Sequence, residues 1–156
     1  MGIAWTPDLD TGIDIIDFQH RQIVDYLNHL EVALTAGDRK GVGRVLDDLA
    51  DYTESHFAFE ESLQEEAGYK LAAPHKTTHE MFIKRLARYR ERHDAGDNIG
   101  ENLYDMLLTW LLHHIKRDDA AYVPDVRHKL VGHIEDRSPD GWLARQVAHF
   151  FKQQAK

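Results

Sequence analysis

The chain has no cysteine among its 156 residues. That excludes disulfides, thiolate nucleophiles and zinc–thiolate sites, and leaves imidazole and carboxylate as the strong metal ligands. No segregated basic patch offsets the formal net charge of −8, so a phosphate backbone would be repelled and nucleic acid is not an expected partner. The N-terminus "MGIAWTPDLD" lacks the basic and apolar regions of a secretory signal, and no run approaches the ~18 apolar residues of a spanning helix. A cytoplasmic protein with no membrane association fits these absences. There is no strand-like alternation, internal repeat, dinucleotide-binding fingerprint or evident nucleophile assembly.

What the chain does have is histidine, eleven residues of it. The length suits one domain able to bury roughly two thirds of its unfolded surface. After an irregular arm containing Trp5, Pro7 and Gly12, apolar residues recur at helical spacing in four stretches. Ile16, Ile23, Val24, Leu27, Leu30 and Leu34 form the first stripe, with His20 on it. Val42, Leu46, Leu49, Tyr52, Phe59 and Leu63 form the second, in phase with His56 and Glu60. The third carries His75, His79, Phe82, Ile83 and Leu86, with Pro74 tolerable in its first turn. The fourth carries Leu103, Leu107, Trp110, Leu111 and His114, and is expected to end before Pro124.

Four such helices with short connections predict an all-α, up-down-up-down antiparallel four-helix bundle over residues 1–123. The remaining segment, 124–156, is expected to add a C-terminal amphipathic helix packed on the bundle, with Ser138 as its cap and Pro139 in first position. Trp142, Leu143, Val147, Phe150 and Phe151 would form its apolar face.

A lone histidine on an apolar stripe is usually a satisfied core residue, but the heights of these residues argue otherwise. Residues equidistant from an antiparallel turn share a level. His20 and His56 lie 18 residues either side of Asp38, Glu60 and His79 lie 9 and 10 from Tyr69, and His79 and His114 lie 18 and 17 from Asp97. Imidazoles from all four helices therefore reach one level, misaligned by about 1.5–3 Å. The pairs His56/Glu60 and His75/His79 are four apart and share a face. So many polar groups in an apolar interior would be costly to desolvate without a cation. Six or seven N/O donors exceed one tetrahedral zinc and suit two metals of octahedral preference, iron or manganese. His29, His93, His128, His133 and His149 fall outside this level and are expected to be solvated or locally hydrogen-bonded.

The segment "LLHHIKRDD", residues 111–119, contains two histidines and two aspartates. Counting back in helical steps from His114 gives Leu111, Trp110, Leu107 and Leu103, all apolar; from His113 the same steps give a mixed set. His114 therefore faces the core. An ideal helix would place Asp118 near its face, whereas Asp119, five residues on, would lie about 140° past a full turn.

Together the motifs resemble the hemerythrin family, in particular single-domain bacterial hemerythrins. The resemblance runs from about Ile3 to Tyr122. It rests on Trp5, "G-x-x-x-I-D-x-Q-H" from Gly12 to His20, "H-x-x-x-E" from His56 to Glu60, "H-x-x-x-H" from His75 to His79, and "W-L-x-x-H-I-x-x-x-D" from Trp110 to Asp119. It implies two iron ions with a bridging oxo or hydroxo group. His75, His79 and His114 would bind one iron and His20 and His56 the other, with Glu60 and Asp119 bridging. One position would stay open on the iron held by two histidines.

The implied function is reversible O2 binding for storage, delivery or sensing, in a non-enzymatic protein. Ile23, Phe57, Trp110, Leu111 and Ile115 match the family's apolar pocket. Competing readings are a di-iron redox enzyme acting on peroxide, nitric oxide or ferrous iron, and an iron- or O2-responsive module signalling through residues 139–154. An unidentified reductant or O2-consuming protein is the expected partner class, and the chain a monomer or weak homodimer. Because the family spacing selects Asp119 over Asp118, the helix between His114 and Asp119 is expected to widen into a π-type turn.

Overall fold

A computed structural model describes residues 3–151, and these residues are helical and irregular only, with no strand among them. A 3-10 turn at Pro7–Leu9 precedes α1 (Asp14–Thr35), α2 (Arg39–Ala67), α3 (Ala72–Asp94) and α4 (Gly100–His113). A π-helical segment, His114–Asp119, joins α4 to α5 (Ala120–Glu135), and α6 (Trp142–Phe150) follows. Helix α1 packs on α2 and α4, and α2 also packs on α3 and α5.

Local chemistry sets the boundaries. The Asp38 carboxylate caps α2 by accepting from Gly41 N at 2.9 Å. At its other end Gly68 adopts φ 67°, and the amides of Gly68 and Tyr69 close onto the carbonyls of Glu65 and Gln64 at 3.1 and 2.9 Å, the reversal that glycine alone makes without strain. The N-terminal arm is tied down rather than loose. Ile3 and Asn28 exchange two hydrogen bonds, and the amides of Thr11 and Gly12 donate to Asp17.

The apolar stripes meet inside. Ile16, Leu30, Phe59, Leu63 and Leu103 are completely buried, as their spacing predicts. His93, expected to be solvated or locally hydrogen-bonded, is buried and ties α3 to the start of α2: its Nε2 lies 3.0 Å from Arg39 O while Arg39 donates to His93 O.

Two boundaries differ from expectation. The fourth bundle helix does not stop before Pro124; α5 runs through it and, across a kink at Leu130, on to Glu135, so the expected division at residue 124 falls inside a helix. Proline's fixed φ is itself helical, and its interior cost of about 3 kcal/mol is met by burial of the following Val126 and Leu130, each contributing about 1.5–3 kcal/mol. Nor does Ser138 cap the last helix, which starts after Gly141. Both Ser138 N and Ser138 Oγ donate to Asp136 Oδ1, at 3.0 and 2.6 Å, closing a local turn that competes with capping.

Helix α6 lies against α2 and α5. Beyond it Phe151 is buried against Tyr52 and Phe59, ring centres 5.3 and 6.1 Å away. The last five residues of the expected amphipathic tail, 152–156, lie outside the described residues, as do 1–2. Among the described residues no helix is long and apolar enough to cross a membrane.

Candidate metal centre

Helix α1 supplies His20, α2 His56 and Glu60, α3 His75 and His79, and the π-helical segment His114 and Asp119 at its two ends. All seven are buried. Their ligand atoms form two overlapping groups, Glu60/His75/His79/His114/Asp119 and His20/His56/Glu60/Asp119, each within 4.8 Å. All seven residues expected to form the site therefore come together.

Both carboxylates face both groups. Asp119 Oδ1 lies 3.1 Å from His75 Nε2 and 3.0 Å from His114 Nε2, while Asp119 Oδ2 lies 2.9 Å from His20 Nε2. Glu60 Oε1 is 3.2 Å from His79 Nε2 and Glu60 Oε2 is 3.5 Å from His56 Nε2. Metal–ligand bonds of about 2.1 Å set at the right angles of an octahedron separate neighbouring donors by about 3 Å. The closest pairs have that spacing.

The imidazoles are oriented from outside. His79 Nδ1 lies 3.0 Å from Glu61 Oε2, His114 Nδ1 2.9 Å from Asp118 Oδ2, and His56 Nδ1 2.6 Å from Gln19 Oε1. Donation from Nδ1 leaves each Nε2 with an inward lone pair. His79 Nε2 and His114 Nε2 then face each other at 3.0 Å, an arrangement that needs a cation between or beside them.

The unpartnered atoms test the fit of a metal. His20 Nε2, His75 Nε2, Glu60 Oε1 and both Asp119 oxygens are buried with no hydrogen-bond partner. Buried polar atoms are normally satisfied, and every one of these points into the two donor groups. The residues present fit two metal ions.

The electrostatics agree. Burial opposes a charge on His20 and His75, but Asp119 and Glu60 outweigh it and raise both to about 9. His114 rises to about 10 against its burial, through Asp119 and Asp118. At His56 burial prevails and the pKa falls to about 3. Glu60, although buried, is held well below the usual carboxylate range by the imidazoles of His56, His20, His75 and His79 around it. The carboxylates thus keep their charge and draw cations, whether protons or metals, to the same nitrogen atoms.

Tyr122, which the spacing arguments do not single out, is completely buried and donates its hydroxyl to Glu60 Oε2 at 2.8 Å. Burial and the Glu60 charge push its pKa well up, so it remains a donor. Its eight-residue separation from His114 carries no helical signal, since the π turn changes the phase between them.

A small apolar cavity of about 10 Å³ adjoins His20, His56 and His114, at the lower limit for one water-sized molecule. Ile23, Phe57, Trp110 and Leu111 line it. Leu27, Leu49, Phe82 and Leu107 complete the apolar wall; their stripe positions mark them only as core. Thr53 also lines it, its hydroxyl spent on Leu49 O at 2.8 Å. Ile115 is not among the residues lining the cavity; it is buried one residue past His114 within the π turn.

Fold and site together define a histidine-rich four-helix bundle whose two overlapping donor groups share the carboxylates Glu60 and Asp119. The chain belongs to the hemerythrin family: residues 11–126 match the model of the hemerythrin HHE cation binding domain. It is 50% identical over 149 residues to the bacteriohemerythrin of Stenotrophomonas maltophilia (strain R551-3), covering 96% of this chain and 97% of that one. It is 46% identical to the bacteriohemerythrin of Pseudomonas aeruginosa (strain LESB58), with the same coverage. The crystal structure of a wild-type hemerythrin, 30% identical, superposes with a TM-score of 0.75 over 80% of this chain and 97% of that one. The family implies a di-iron site, and the buried cluster is present to hold it.

Proposed function

We propose that this chain binds O2 reversibly at a di-iron centre, as an oxygen store, carrier or sensor rather than as an enzyme. His75, His79 and His114 hold one iron, His20 and His56 the other, and Glu60 and Asp119 span both. The observation that carries the reading is the position of the cavity. One donor group has five residues and the other four. With a shared oxo or hydroxo bridge the first group would offer six donors and the second five, so the His20/His56 side would have room for one further ligand. The cavity lies against His20 and His56, both imidazoles of the four-residue group, and against His114 alone of the other.

Iron held by these residues would supply the electron exchange with O2. The protein's part is to keep that exchange dry. Ile23, Phe57, Trp110 and Leu111 exclude water and external protons that would otherwise make the oxidation irreversible. The small cavity favours a diatomic over larger substrates. Anaerobic reconstitution with ferrous iron, metal counting and optical spectra through cycles of aeration and argon test the reading. Two irons per chain and a reversible spectral change are expected; one iron, or irreversible oxidation on first exposure, overturns it.

A further inference from the structure

The two donor groups differ in what stands behind their imidazoles. In the His75/His79/His114 group, two rings are backed by carboxylates, His79 by Glu61 at 3.0 Å and His114 by Asp118 at 2.9 Å. In the His20/His56 group only His56 is backed, by the neutral amide of Gln19. His20 Nδ1 is buried with no hydrogen-bond partner. Its ring is not oriented by hydrogen bonding, and its N–H or lone pair is desolvated without return.

Outer partners fix the tautomer and direction of a ligating ring and raise its basicity, and losing one typically costs 10–100-fold in metal affinity. Each group leaves one ring without such a partner, His75 in one and His20 in the other, but the His20/His56 group has an amide where the other has two carboxylates and offers one imidazole fewer. A metal already in the larger group also repels the second through the shared Glu60 and Asp119.

We infer that the centre fills and empties in a fixed order, with the His75/His79/His114 metal resident and the His20/His56 metal exchangeable. The order deepens the di-iron reading and rests on it. Because the cavity adjoins both His20 and His56 but only His114 of the other group, the exchangeable metal is the one with all its imidazoles on the gas-binding space. O2 binding is then conditional on iron supply, through a stable one-iron form of the chain.

The test starts from the iron-loaded full-length protein, held anaerobic and equilibrated against graded concentrations of a ferrous chelator, with irons per intact chain counted by native mass spectrometry. Two equivalent independent sites would never give more than half of the chains with one iron. The expected result is a one-iron species that forms the majority over at least a ~100-fold span of free ferrous iron. Two variants identify which iron stays. Asp118→Ala weakens the resident site and narrows that span by about tenfold or more, whereas Gln19→Ala weakens the exchangeable site and widens it by a similar factor. Direct passage from two irons to none, or the opposite response of the two variants, overturns the order. A starting protein without two irons defeats the di-iron reading itself, a result that separates the two failures.

Discussion

His114 Nε2 lies 3.0 Å from Asp119 Oδ1, although the two residues stand five apart in one continuous helical path. A regular α-helix would turn them about 140° away from each other. The π segment His114–Asp119 absorbs that rotation, and the same widening leaves Asp118 on His114 Nδ1 at 2.9 Å. One local irregularity thereby delivers a ligand, the residue that orients it and a carboxylate shared by both groups. A π turn at a functional site is the usual place for one.

Asp119→Ala therefore removes oxygens that face His20, His75 and His114 at once. Iron content should fall from two per chain to one or fewer, with loss of the oxygenated spectrum. His113→Ala, which alters an exposed neighbour in the same turn, should keep two irons. Equal iron contents in the two variants would show that the register is wrong.

Phe57 carries the wall between cavity and surface. Its ring stacks on His79 at 3.8 Å and 5°, meets Trp110 at 6.0 Å, and also borders an outer cleft with Glu54, Glu61 and Lys84. Phe57→Ala should destabilise the fold by about 3–5 kcal/mol and admit water. Urea unfolding measures the first effect. The decay of the oxygenated form in air, expected to accelerate, measures the second, with Phe57→Leu intermediate in both. An unchanged decay rate would remove Phe57 from the barrier.

Tyr122→Phe deletes the donor on Glu60 Oε2. A hydrogen bond to a charged group contributes about 1.5–3 kcal/mol, so the iron-loaded protein should unfold at correspondingly lower denaturant concentration. Glu60 also becomes a stronger electron donor to ferric iron, and the reduction potential should fall. Potentiometric titration checks the sign; a rise would mean that the hydroxyl no longer faces Glu60 in the loaded protein.

Much of this was legible in the sequence because helical period and turn position are simple arithmetic. Apolar stripes located the four bundle helices, and equal distances from the turns brought His20, His56, His79 and His114 to one level. Asp119 was not legible from geometry: ideal phase favoured Asp118, and only the family spacing chose otherwise. Pro124 and Ser138 misled because local preferences worth a few kcal/mol yielded to burial of Val126 and Leu130 and to the Asp136 turn. Glu61 and Tyr122 left no periodic signal, since an outer partner is selected by where a ring nitrogen points rather than by its own helix face.

The tail offers a separate test. All seven expected ligands lie at or before Asp119, and the family match stops at residue 126. Truncation after Glu135 uncovers Tyr52 and Phe59, and removes the Gln146 acceptor of Ser62. Stability should drop by at least the about 1.5–3 kcal/mol that burial of Phe151 contributes, while two irons and reversible O2 binding persist. Loss of iron on truncation would make the tail part of the site.

Removing the metals should expose the titration of their ligands. In the metal-free protein His20 and His75 are raised to about 9 and His114 to about 10 from an ordinary 6.5. A raised folded-state pKa gives stability that is fully present below the unfolded value and lost as pH rises through the folded one. These three residues should therefore weaken the metal-free fold progressively between pH 6.5 and 10. His56, depressed to about 3, acts in the other direction, withdrawing stability as pH falls below 6.5. Urea unfolding of chelator-treated protein should show maximal stability near pH 6.5. With iron bound, the Nε2 lone pairs are committed and the loss above pH 6.5 should largely disappear; the same alkaline loss in both forms would place its origin outside the ligand set.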